Sequence, residues 1–173
     1  AGAMRVAQAL DGDSLDQLTG VFRRAPAQAL ARLHMLAAAD MVDDPDELGR
    51  PRAGADVAAR LDLLGQLISG ATTVPGPVLA AVVHGELLTL DAFPTANGII
   101  ARAASRLVCT STGLDPHNLG VPEVTWLKRI KDYRAFAQGF AAGTPEGLGN
   151  WILLTCEALE AGAAEAKSIA DAV

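Results

Sequence analysis

One run of residues near the middle of the chain, Asp91-Ala92-Phe93-Pro94-Thr95-Ala96-Asn97-Gly98-Ile99-Ile100-Ala101-Arg102, combines side chains suited to holding an anion. Asn97 is a helix-capping residue type, and Gly98 lets a ligand come close to the backbone. A helix that starts here also presents the amides of its first turn to whatever lies in front of it. Arg102 and Arg106, about one turn apart, add positive charge to one side of that helix. The chemistry expected is capture of a phosphate, sulfate or carboxylate. On spacing alone an ordinary capped helix with arginines facing water fits the same residues, because Asn-Gly before a helix is common.

Other constellations are weaker. His84 interrupts an apolar helical stretch and reads as a buried histidine bonded to a neighbour; because its helix leads into the loop, it is kept as a lesser pocket candidate. His34 reads the same way. Asp115-Pro116-His117-Asn118 is good turn chemistry and has no third ligand near it in sequence, so no metal is expected there. Lys128, Arg129, Lys131 and Arg134 surround Tyr133 as a basic patch, diluted by Asp132, which a solvated helix face explains as well as a nucleic acid does. No nucleophile elbow, Walker loop or dinucleotide fingerprint occurs, since the glycines are isolated and none follows a strand pattern.

The elements that must position these residues are helices. Alanine and leucine dominate, aromatics are 4%, and β-branched residues are too scattered for alternating strand patterns. Asp13 or Ser14 can cap a helix bearing Leu15, Leu18, Val21 and Phe22, and Pro26 opens a second through Leu30, Leu33 and Leu36. The stretch from Asp43 to Gly54 carries turn formers without an apolar period and reads as an exposed connection with solvated charges. Asp56 can cap a helix through Leu61, Leu64 and Ile68. Further helices are expected from about Pro77 to Leu88 and from about Asn97 to Thr110, the latter stopped by Gly113. Another starts at Pro122 and Glu123 and runs through Trp126, Ile130, Tyr133 and Phe136. The last is capped by Thr144, with Pro145 at its first position and Glu146 in its first turn. The expected architecture is an all-α compact bundle with the helices on either side of the loop as central neighbours. Residues 1–50 form an N-terminal helical pair and residues 56–173 the core with its C-terminal helices. Ala1, Gly2 and Ala3 precede Met4 and read as cloning residues or the cut edge of a longer protein, outside the fold argument.

Composition narrows the partners. A net charge of −6 argues against general affinity for nucleic-acid backbones. Apolar stretches are interrupted long before the ~20 residues a membrane span needs, so no membrane partner is expected. Cys109 and Cys156 sit in apolar helical stretches without ligand spacing and read as small hydrophobes in a reducing, cytoplasmic compartment.

The loop and its flanking helices resemble the Fic family, whose loop reads HxFx(D/E)GNGRxxR. Phe93, Asn97, Gly98 and Arg102 occupy the family's positions, and His84-Gly85-Glu86-Leu87-Leu88 is similar to its preceding helix. The similarity extends more weakly from about Asp56 to Ala142. The resemblance implies a helix-loop-helix core and transfer of a nucleotide phosphoryl group, typically AMP from ATP with Mg²⁺, to a protein hydroxyl. It also implies that Thr95, Asn97, Gly98 and Arg102 face the phosphates, with Phe93 and Arg106 near them. Departures fall where that chemistry is most demanding. Asp91 stands for the histidine base, Thr95 for the metal-holding acid, Ala96 for the first glycine and Ile99 for the first arginine. A carboxylate of ordinary pKa is a weak base at neutral pH, and a hydroxyl is a poor ligand for a hard cation. The family's inhibitory S/TxxxE(G/N) motif is absent as well. The expectation is a pseudoenzyme that binds another protein and keeps a relic nucleotide-phosphate pocket, with a homo-oligomer open. The alternative is an active adenylyl transferase with Asp91 forced into the base role.

Overall fold

The computed structural model describes residues 1–172, and among them all regular structure is helical. Helix α1 spans Gly2–Ala9, α2 Gly12–Arg24 and α3 Pro26–Ala38. A 3-10 turn at Pro45–Glu47 interrupts the long connection to α4, Ala55–Ile68. Helices α5, Gly76–Leu90, and α6, Asn97–Ser111, flank the anion-type loop, and α7 (Glu123–Lys128), α8 (Ile130–Ala141) and α9 (Pro145–Ala170) complete the chain.

Local chemistry accounts for several of these boundaries. Ala25, held out of helical geometry by the following proline, separates α2 from α3, which Pro26 opens. Thr144 Oγ1 accepts from the Gly147 amide at 3.1 Å, capping α9 as its residue type requires. Two starts differ from expectation. Helix α2 begins at Gly12 after Asp11 and α4 at Ala55 after Gly54, neither with a side-chain cap, so neither Asp13 or Ser14 nor Asp56 has the capping role. Gly2 and Ala3 are not outside the fold: they open α1, and Gly2 packs so closely on α3 that a Cβ there would overlap the Ala37 carbonyl.

Helix α5 is the centre. Leu79, Ala80, Ala81, Val83, His84, Gly85 and Leu87 are all buried, so the helix is covered on nearly every side. One buried cluster joins α1, α2, α3 and α4 to one side of α5 and to α6, with Phe22, Leu33, Leu87, Phe93 and Leu107 among its large members. A second cluster gathers Ala81, Trp126, Tyr133, Trp151 and Leu154 on the other side, from α5, α7, α8 and α9. The residues of 1–50 therefore share a core with the helices that follow, through contacts of α2 and α3 with α6. The expected single helix through Trp126 and Phe136 is broken at Arg129, whose backbone leaves helical geometry between α7 and α8. Among the described residues, no helix is long and apolar enough to cross a membrane.

Candidate functional site

The loop between α5 and α6 is tied to itself by Asn97. Its Oδ1 accepts from the Phe93 amide at 2.9 Å, while Nδ2 donates to the Phe93 carbonyl at 2.8 Å and to Asp91 Oδ1 at 2.7 Å. Asn97 is thus the first residue of α6 and not its cap; Ala96 holds the cap position without a side-chain bond. Two residues of the loop take left-handed backbone, Asp91 at φ 52° and Ala96 at φ 61°. That conformation is tolerable for an aspartate and strained for an alanine. Phe93 is buried at the base of the loop, its ring stacked on His34 with centroids 4.7 Å apart.

This folding leaves the start of α6 open. The Ile99 and Ile100 amides donate to the Ala96 carbonyl at 2.9 and 3.1 Å, whereas among the described residues the Asn97 and Gly98 amides have no protein acceptor. Arg102 packs against the first turn of the helix: a Cβ on Gly98 would lie 3.3 Å from Arg102 Nη1. Among the described residues Arg102 pairs with no carboxylate, and its guanidinium lies beside the Tyr133 hydroxyl. Its charge is felt inside, where it opposes the upward shift that burial imposes on the Tyr133 phenol.

Arg52, on the connection after the 3-10 turn, crosses the front of this loop. Its amide donates to the Ala92 carbonyl at 2.7 Å, Nε to the Phe93 carbonyl at 3.1 Å and Nη2 to the Pro94 carbonyl at 3.3 Å, and Nη2 lies 3.2 Å from Asp91 Oδ2. Nearby, the Gly49 amide donates to His34 Nδ1 at 2.8 Å, which places the proton of that buried imidazole on Nε2. Burial lowers the His34 pKa, in keeping with a neutral ring. The connection read as merely exposed and solvated is in part a strap over the loop. Sequence reasoning missed Arg52, since the contact spans 41 residues and no periodicity announces it.

Apart from Thr95, the remaining candidates lie away from the loop surface. His84 is fully buried among Trp126, Tyr133 and Trp151, with ring centroids 4.6, 5.6 and 5.0 Å away, and its Nε2 shares a hydrogen bond with the Tyr133 hydroxyl at 2.8 Å. Burial, helped by the Arg102 charge, lowers its pKa to about 3. Arg106 adds no free charge to the loop. Its guanidinium is bidentate on Glu123 at 2.9 and 2.5 Å and also donates to Asn118 Oδ1 and the Gly120 carbonyl. Thr95 is half-buried in the loop. Tyr133 faces the core, so the basic residues of α7 and α8 do not surround an exposed ring, and Arg129 is paired with Asp132 and Glu157. In the turn at Asp115, the carboxylate accepts from the Leu119 and Gly120 amides at 2.9 and 2.8 Å.

Chemically, the loop presents two amides and one guanidinium to an anion. Its single carboxylate is already engaged on both oxygens, by Asn97 and Arg52, which leaves it poorly placed to take a proton from a hydroxyl. Mg²⁺ does not fit this donor set. With Asp91 engaged and Thr95 and Ala96 on either side of the turn, the loop lacks the free carboxylates a hard cation requires. Compared with known proteins, the chain matches no family model and no curated protein.

Proposed function

We propose that this chain is a degenerate Fic-like domain, a cytoplasmic non-catalytic module that binds another protein and retains a phosphate-sized anion site at the start of α6. The observation that carries the reading is the Arg102 guanidinium packed against Gly98 in a first turn where the Asn97 and Gly98 amides have no acceptor among the described residues. In a chain of net charge −6, an arginine without a carboxylate partner at such a place favours an anion. A nucleotide phosphate is the ligand class the resemblance supplies.

The non-catalytic part rests on Asp91. Held by Asn97 and Arg52, it supplies no free base, and loss of a general base alone forfeits about 10²- to 10⁴-fold in rate. Incubation with labelled ATP, Mg²⁺ and cell extract tests this directly. The reading expects no labelled protein. A labelled product that disappears in Asp91→Ala would establish the transferase instead.

A further inference from the structure

A cleft of about 740 Å³ opens beside the second half of α6, between α6, the connection from Leu114 to Pro122, and the C-terminal half of α9. We propose that it binds a neutral, apolar small molecule.

The space exists because of residue size. Ala163, Ala166 and Ala170 line it from α9 at helical spacing, where larger side chains would fill it. Leu159, Pro77 and Trp126 extend the apolar wall. The volume lies within the range of about 300–1,000 Å³ typical of small-molecule sites.

The opposite wall is pinned in place. Arg106 holds it through Glu123, Asn118 and the Gly120 carbonyl, Asp115 accepts from Leu119 and Gly120, and the Val121 amide donates to the Gly162 carbonyl at 3.2 Å. Gly162 makes that last contact possible, since a Cβ there would lie 2.6 Å from the Pro122 nitrogen. A connection anchored to both α6 and α9 resists collapse onto the apolar surface, so the cleft is preformed and a ligand need not supply the ordering cost.

The same bonds define the ligand's charge. Arg106 and Asp115 are the ionic groups that line the α6 side and the connection, and both are saturated by protein partners. Glu160 and Lys167 also line the cleft from α9, but both are exposed, and Lys167 is held by Asp171, so a charged group carried into the apolar interior would find no free counter-ion on the α6 wall or the connection and would lose hydration on entry. A slot bounded by two helices and an anchored connection suits a small molecule better than a flat protein face.

Nile red, a neutral dye, is the probe. Wild-type protein should bind it saturably at one site with blue-shifted emission, and Ala163→Phe should weaken binding roughly tenfold or more while helicity is retained. Leu153→Ala, an exposed position of α9 outside the cleft, should leave binding unchanged. Without any substitution, bound dye should also slow alkylation of Cys156, which lines the cleft, by N-ethylmaleimide. Absence of saturable binding would overturn the proposal, as would binding indifferent to Ala163→Phe with Cys156 unprotected. So would a wild-type dimer that Ala163→Phe dissociates, which would assign the face to a second copy of the chain.

Discussion

Arg52 Nη2 lies 3.2 Å from Asp91 Oδ2, joining a connection far back in the chain to the turn that precedes α6. Both side chains are about half exposed, so the ion pair alone contributes little, on the order of 0–1 kcal/mol. The guanidinium's bonds to the Phe93 and Pro94 carbonyls matter more for the loop than for the fold. Arg52→Ala is therefore expected to lower global stability by only about 1 kcal/mol. It should also raise amide exchange across residues 91–96 markedly. Unchanged exchange there would show that the strap does not hold the loop.

Ala96 supplies a second test. A non-glycine residue at φ 61° costs roughly 1–2 kcal/mol relative to one that accepts the left-handed region freely. Ala96→Gly should relieve part of that strain and raise stability by up to about 1 kcal/mol, read from the midpoint of chemical denaturation. A loss of stability would mean that the Ala96 methyl, packed against the core cluster, outweighs the backbone strain.

The buried imidazole of His84 gives the fold a pH signature. Its pKa falls from 6.5 to about 3 on folding, so the unfolded chain binds a proton that the folded one refuses. Stability from this group is complete above about pH 6.5 and is lost as pH falls toward 3, at about 1.4 kcal/mol per pH unit where the two states differ by a full proton. His34, lowered by burial as well, acts in the same direction. His84→Gln should remove about one proton's worth of slope from stability measured between pH 4 and 6. An unchanged slope would place the proton linkage elsewhere.

The particular residues show what a linear reading can reach. Pro26 and the Thr144-Pro145-Glu146 run mark helix starts because their chemistry acts on neighbouring backbone, and the periodic apolar residues of α5 and α6 reveal the central pair. The break at Arg129 is hidden, because Trp126 and Tyr133, seven residues apart, fall on the same side whether or not the helix is continuous. At the site, Asn97, Gly98 and Arg102 stand out in sequence as neighbours on one loop and helix. The turning of Asn97 back onto Phe93, the strap through Arg52 and the diversion of Arg106 to Glu123 depend on distant partners that no local pattern encodes.

The start of α6 is the anion site on which the proposed function stands. The direct measurement is a titration with ATP, and with sulfate for comparison, followed by backbone amide shifts and thermal stability. Saturable millimolar or tighter binding is expected, with the largest shifts at Asn97 and Gly98. Arg102→Ala should weaken it without unfolding, and Asp91→Asn should tighten it by removing a negative charge and releasing Arg52. A wild-type chain whose Asn97 and Gly98 amides do not move at millimolar ligand, with Asp91→Asn equally silent, would contradict it.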